Sequence, residues 1–234
     1  AKKKNAITEA MYSAMADTIN AARKNNDVKV LVITGKGDCF TAGNDLKDFI
    51  QNPPNGLKSP VFKFMYSLCN FDKPILAAVN GPAIGIGVTM LMHCDLIFAT
   101  ESAVFQLPFI NLGLVPEFGS SLILPMLIGK ARASEALMLG EPFDSKTAMK
   151  LGLLNSILST SELMPHTLSI ARTLTAKPTS ALKKTKALMN QNNDAIKEQI
   201  KIEAEAFGHQ LQSVEVKEAI NAFFEKREPN FTNL

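Results

Sequence analysis

Pro74-Ile75-Leu76-Ala77-Ala78-Val79-Asn80-Gly81-Pro82-Ala83-Ile84-Gly85-Ile86-Gly87 is the stretch on which the fold turns. Residues 74 to 79 are apolar without a break and stop at the turn signal Asn80-Gly81-Pro82. A run of this kind reads as a strand covered on both faces, central in a sheet. Gly85-Ile86-Gly87 then opens Val88 to Met92, which is too hydrophobic all round for a surface helix and is expected to be buried.

Working outward, Asp95 to Ala99 and Ala103 to Gln106 read as two further short strands. On the N-terminal side, Val28 to Thr34 is a strand that ends at the breakers Gly35-Lys36-Gly37-Asp38. Before it, Met11, Met15, Ile19 and Ala22 recur at helical spacing between Thr8 and Asn25, which predicts a surface helix. After Cys39-Phe40-Thr41-Ala42-Gly43, Asn44 or Asp45 can cap a short helix that turns Leu46 and Phe49 inward. Gln51 to Pro60, with Pro53-Pro54 and Asn55-Gly56, reads as a loop. Strands alternating with helices predict an α/β fold with parallel pairing, because parallel neighbours need a crossover between them.

Beyond Glu117 the pattern becomes helix after helix: Gly119 to Ile128, Ala131 to Leu139, Ser145 to Lys150, then amphipathic stretches up to Phe224. Only Leu153 to Leu158 interrupts as a strand. The division expected is an α/β core over residues 1–160 and a helical C-terminal region over 161–234.

Composition narrows the function classes. The 234 residues are 46% hydrophobic, enough for a substantial core, yet polar residues such as Asn80, Thr89 and His93 break every apolar run before the ~20 residues a membrane span needs. The lysines of Ala1 to Asn5 lead into a helical pattern instead of the apolar stretch of a signal peptide, so secretion is not expected. Three cysteines, Cys39, Cys69 and Cys94, lie far apart without a metal-binding spacing, which favours a reducing compartment. A net charge of +3 suits a phosphorylated ligand but is far from the clustered basic surface of a nucleic-acid binder.

Two glycine-bearing loops each follow an apolar strand and open a helix: Thr41-Ala42-Gly43-Asn44-Asp45-Leu46 and Asn80 to Gly87. Free backbone N–H groups at the positive end of a helix suit an anion or a developing negative oxygen, and two such loops can converge on one oxygen. The same glycines equally serve tight turns and close packing.

These loops resemble the two oxyanion-hole segments of the crotonase (enoyl-CoA hydratase/isomerase) superfamily. Lys4-Asn5-Ala6 resembles that family's early K-x-N-A stretch, Pro74 to Gly81 its central strand and turn, and His93-Cys94-Asp95 the segment after its buried helix. The similarity runs from about Lys4 to about Val214, and five motifs stand in the family's order. The family's first hairpin would precede Ala1, so the resemblance implies a trimmed or incompletely covered version of the pattern.

The resemblance implies the crotonase fold, a spiral of ββα units followed by a helical trimerisation region. It implies an acyl-CoA substrate and an oxyanion hole made by the backbone N–H groups of Ala42 and Ile86 around the thioester carbonyl. Gly43, Asn44, Asp45, Leu46, Gly85, Thr89, Phe109 and Leu114 are expected to line the substrate site, with Lys183 or Lys184 near the coenzyme A phosphates. Hydratases of the family carry glutamates at the positions of Thr89 and Phe109, and both replacements argue against hydration. Glu117, in Leu114-Val115-Pro116-Glu117-Phe118-Gly119, stands where Δ3,Δ2-enoyl-CoA isomerases carry their base. Apolar neighbours are expected to raise its pKa, opposed by the start of the following helix. As a first-turn residue, Glu117 would equally be favoured by the helix dipole alone.

The remaining patterns are weak. Gly85-Ile86-Gly87-Val88-Thr89-Met90 lacks the third glycine of a dinucleotide fingerprint, and Gly119-Ser120-Ser121 lacks the spacing of a nucleophile elbow. His93, Cys94 and Asp95 point in different directions on a helix end, so no metal is expected. His166 and His209 read as solvated, and Lys177, Lys183, Lys184 and Lys186 as a mostly solvated basic face. The function implied is a cofactor-independent shift of a 3-enoyl-CoA double bond to the trans-2 position. Its rivals are another acyl-CoA enzyme of the family and a catalytically silent acyl-CoA binder. A homotrimer or dimer of trimers in the cytoplasm is expected, since Asn233-Leu234 does not form a peroxisomal signal.

Overall fold

The computed structural model describes residues 3–54, 56–232 and 234; Ala1, Lys2, Asn55 and Asn233, which belong to the leader, the Asn55-Gly56 turn and the terminal pair read above, lie outside the described residues. The chain runs α1 (Glu9–Lys24), β1 (Leu31–Thr34), α2 (Leu46–Gln51), α3 (Pro60–Cys69), β2 (Ile75–Val79), β3 (Ala83–Ile84) and α4 (Ile86–Thr89). A 3-10 turn, Met90–His93, leads into β4 (Leu96–Thr100) and β5 (Val104–Gln106), and a second, Ile110–Leu112, precedes α5 (Ser120–Ile128) and α6 (Lys130–Leu139). Then come β6 (Phe143–Asp144), α7 (Ser145–Lys150), β7 (Ser156–Leu158) and four helices, α8 (Thr160–Thr175), α9 (Thr179–Met189), α10 (Asn193–Gln210) and α11 (Val214–Glu225).

β2 is the centre of a four-stranded, all-parallel sheet of order β1-β2-β4-β7. The uninterrupted apolar run follows from the period of two along a strand, which sends alternate side chains to opposite faces. Ile75, Ala77 and Val79 enter the main core with Phe64, Leu68 and Phe105, while Leu76 and Ala78 meet Phe98, Leu163 and Ala171 on the face covered by α8. A second sheet, β3-β5-β6, pairs β3 parallel to β5 and β5 antiparallel to β6.

Several elements differ from the expectation. The buried stripe of α1 is Tyr12, Ala16 and Ile19, whereas Met11 faces solvent; the aromatic ring of Tyr12 packs 5.5 Å from that of Phe64 and fixes the helix's rotation. The helix α3, β3 and β6 were not anticipated, and β6 means that Leu153 to Leu158 is not the sole strand in the C-terminal half. The strands expected at Val28 and Leu153 start later, at Leu31 and Ser156. Short strands such as β3 carry no periodic signal of their own and exist because a neighbour offers hydrogen bonds.

Lys186 is buried, not solvated. Its Nζ donates to Asp95 Oδ2 at 2.7 Å and to the Lys73 carbonyl at 2.9 Å, and the same Asp95 oxygen accepts the Ile75 N–H at 2.7 Å. α9 is thereby pinned to the start of β2 and β4. His166 is also not free in solvent, since its ring stands edge-on to Phe98 at 4.9 Å. Among the described residues no helix is long and apolar enough to cross a membrane.

Candidate active site

The two glycine loops lie side by side. Phe40 and Thr41 N–H both donate to the Pro82 carbonyl, and Ile84 N–H donates to the Thr41 carbonyl at 3.0 Å. Glycine is required at the seam: a Cβ on Gly43 (φ +84°) would sit 2.9 Å from the Ile84 carbonyl oxygen, and one on Gly87 would sit 2.5 Å from Thr41 Cγ2.

Which N–H groups point outward differs from the expectation at one position. The Ala42 N–H donates to the Lys4 carbonyl at 3.0 Å, so it is not available to a substrate oxygen. Gly43 N–H is held by Thr41 Oγ1 and Asp45 N–H by the Ile7 carbonyl. Among the described residues, no acceptor takes the N–H of Asn44 or of Ile86, the first residue of α4. Asn44 and Ile86, and not Ala42 and Ile86, are therefore the pair of loop N–H groups left open. The Asn44 side chain accepts the Tyr12 hydroxyl through Oδ1, and Tyr12 is itself buried.

Glu117 is buried beside them. Its Oε1 accepts the Thr89 hydroxyl at 2.5 Å, and Thr89 lies on α4 three residues after Ile86. Burial pushes the carboxyl up to about 8 from an ordinary 4.5; the Thr89 hydroxyl opposes this and the nearby Glu203 carboxylate adds to it. The opposition expected from the helix N-terminus is absent in that form. α5 begins only at Ser120, and Glu203 of α10 takes its end: Oε2 accepts Gly119 N–H at 2.5 Å, and Oε1 accepts Ser121 N–H at 2.9 Å and Ser121 Oγ at 2.5 Å.

A cavity of about 970 Å³ opens from this point. Asn44, Glu117, Phe118 and Glu203 line it together with Phe49, Leu57, Val61, Phe62 and Met65, and α10 supplies Ile200, Ala204 and Phe207 on the other side. Apolar walls with a few convergent polar groups suit an acyl chain ending in a polar carbonyl.

The other expected site residues stand elsewhere. Gly85 (φ +57°) donates to the Gln106 carbonyl and turns the chain into α4. Asp45 caps α2 and pairs with Lys3, Leu46 is half-buried in α2, and Phe109 and Leu114 are buried in the main core. None of these lines the cavity. Lys184 is exposed and lies outside it too, while Lys183 pairs with Asp72. His93, Cys94 and Asp95 are each committed to different partners, Phe118 O, Met90 O and Lys186, and no group of three or more potential metal ligands occurs among the described residues. Tyr12 and Glu203 are the site-forming residues that the sequence did not single out, and His93 stands out there only as part of a family segment with no metal expected, not as a neighbour of Glu117.

The family model for enoyl-CoA hydratase/isomerase matches residues 1–233. The chain belongs to that family. A crotonyl-CoA hydratase from Syntrophomonas wolfei is 34% identical over 98% of this chain and 90% of its own length. Human enoyl-CoA delta isomerase 2 is 33% identical over 81% of this chain and 50% of its own. The crystal structure of an enoyl-CoA hydratase/isomerase from Pseudoalteromonas atlantica superposes with a TM-score of 0.94 at 38% identity, covering 99% of this chain and 92% of that one. The α/β architecture and the helical C-terminal region are those of the crotonase fold expected for the family.

Proposed function

We propose that the protein shifts the double bond of a 3-enoyl-CoA to the trans-2 position, with Glu117 as the single proton-transferring base. The observation that carries this reading is the buried Glu117, which shares a largely apolar cavity with Asn44, whose N–H is open, and is hydrogen-bonded to Thr89 of α4, the short helix that begins at the open N–H of Ile86. The thioester carbonyl oxygen accepts from Asn44 N–H and Ile86 N–H; Glu117 removes a proton from C2 and returns it to C4 of the dienolate. Each well-aimed donor contributes roughly 3–4 kcal/mol as charge develops on that oxygen. The shift is redox-neutral and moves one proton, so its chemistry calls for no cofactor beyond the coenzyme A of the substrate.

Hydration is the rival, because relatives carry that name. It needs a second group to place and activate water. Thr89 spends its proton on Glu117, Phe109 is a buried aromatic, and both oxygens of Glu203 are taken by the start of α5. A silent acyl-CoA binder has no need of a buried acid at this place, where ionisation is costly.

The test is incubation with 3-hexenoyl-CoA, following the absorbance of the conjugated product, with water addition to crotonyl-CoA assayed in parallel. Isomerisation without hydration is expected, and Glu117→Gln lowers its rate by about 10²–10⁴ while the acyl-CoA dissociation constant moves less than about tenfold. In deuterated water, return of part of the original proton leaves deuterium incorporation at C4 incomplete. Absence of isomerisation by the wild type refutes the reading. The same reading includes a homotrimer or dimer of trimers, checked by sedimentation; a monomer at micromolar concentration counts against it.

A further inference from the structure

Phe118, next to the base, sits at φ +62°, in the left-handed region that bulky side chains avoid. Such strain persists only where the surroundings over-determine it, and it concentrates at functional sites. Gly119 continues the turn at φ +74°.

Two side chains from distant parts of the chain hold this turn. The His93 ring stacks on Phe118 with centroids 4.0 Å apart and planes at 20°, and its Nε2 lies 2.9 Å from the Phe118 carbonyl. A carbonyl only accepts, so Nε2 carries the proton; Nδ1, 3.6 Å from Cys69 Sγ, is then the acceptor of the neutral ring. From the other side, Glu203 takes the Gly119 N–H and both donors of Ser121, and Gln199 braces the Ser121 hydroxyl at 2.9 Å. The Phe118 carbonyl and the Gly119 N–H belong to one peptide unit, so His93 and Glu203 hold that unit from opposite sides immediately C-terminal to Glu117.

We propose that His93 and Glu203 are positioning residues that aim the Glu117 carboxylate at the thioester by clamping the strained Phe118-Gly119 turn from both sides. The proposal rests on the reading of Glu117 as the base. It explains why a carboxylate lines the cavity with no oxygen free for substrate, and why a half-buried histidine stands in neutral form with both ring nitrogens engaged. The groups facing Glu117 are Tyr12 of α1, Thr89 of α4 and Glu203 of α10, of which Glu203, itself raised by burial, is the second acid and pushes the Glu117 carboxyl up. Lys201, Glu205 and His209, also on α10, line the same cavity.

The test uses His93→Phe, which keeps a ring and loses the donor, His93→Gln, which restores an amide donor, and Glu203→Gln, which keeps the shape and loses the charge. His93→Phe is expected to lower kcat roughly ten- to hundred-fold with KM changed by no more than about threefold, as a displaced base would, and His93→Gln to recover most of it. Glu203→Gln is expected to move the acidic limb of kcat/KM to lower pH, with the carbon-13 titration midpoint of the Glu117 carboxyl moving the same way. A merely structural role moves neither. Wild-type kcat in folded His93→Phe, together with an unmoved Glu117 midpoint in Glu203→Gln, overturns the proposal. The carboxyl titration needs no turnover, so it still decides the clamp if the wild type proves inactive and the isomerase reading falls.

Discussion

Thr89→Val probes the one contact that favours the ionised base. Thr89 is fully buried, so valine of nearly the same shape removes the hydroxyl without admitting water, and Glu117 loses the 2.5 Å bond that holds its carboxylate form. A hydrogen bond to a charged group is worth about 1.5–3 kcal/mol, and 1.36 kcal/mol corresponds to one pKa unit. The carboxyl, at about 8 in the wild type, then rises by roughly one to two units. Only about a tenth of the wild-type base is ionised at pH 7. In Thr89→Val the rate at pH 7 falls a further ~10–100-fold, because ionisation of the free enzyme limits kcat/KM. It recovers toward the wild-type plateau as pH rises. Following the conjugated enoyl thioester by absorbance across pH 6 to 10 measures the limb, with Thr89→Ser as a control that restores the donor. A limb that stays in place while the rate falls equally at every pH would show that Thr89 does not act on the ionisation of Glu117.

Stability should move in the opposite sense for the base itself. The folded-state pKa of Glu117 is raised from 4.5 to about 8, so the folded protein holds that proton to higher pH and loses stability as pH climbs through this window. Glu117→Gln removes a cost on the order of 5 kcal/mol, and its Tm should exceed that of the wild type by roughly 10 °C at pH 9, with the gap closing near pH 4.5; equal melting at both ends contradicts the buried ionisation. Ile86→Pro places proline at the first position of α4, where helices tolerate it, but removes the donor and should cost about 10²–10³ in turnover, whereas Ile86→Gly keeps substantial activity. A folded proline variant with full turnover refutes the oxyanion assignment. Lys186→Met leaves Asp95 without its cation and should cost about 3–5 kcal/mol, read as a lower urea midpoint that Asp95→Asn partly restores. An unchanged midpoint excludes a role for this pair in docking α9.

The fold was legible where sequence pattern and environment agree. The apolar run of β2, its terminating turn and the buried α4 follow from local composition, because a strand between two cores needs apolar residues at every position. Glu117 was legible through the motif around it. The donor at Ala42 was misassigned because an N–H is open or closed according to a partner far along the chain, here the Lys4 carbonyl, and nothing in Ala42-Gly43-Asn44 encodes that pairing. Glu203 was illegible for a related reason. In Glu203-Ala204-Glu205 the two acids look alike, yet one is buried against the start of α5 and the other is exposed, a distinction set by contacts 82 and 84 residues away in sequence.

With Glu117 as the proposed base, the same contacts give the C-terminal helices a part in the chemistry as well as in packing. A buried carboxylate is useful as a base only if its ionisation falls near working pH, which requires desolvation, one stabilising donor and a controlled neighbouring charge. Thr89 supplies the donor from the core, whereas Glu203 supplies the charge from α10, and the apolar face of Ile200, Ala204 and Phe207 on that same helix walls the cavity from water. Loosening α10 would therefore do three things at once: hydrate Glu117, withdraw the charge beside it and release the Gly119 N–H that steadies its turn. The first two lower its pKa, and the third lets the carboxylate wander. A truncation before Asn193 should accordingly leave a protein whose Glu117 titrates nearer 4.5 and which is ionised at pH 7 yet a poor catalyst, because an ionised base out of position lacks the alignment that makes proton transfer fast.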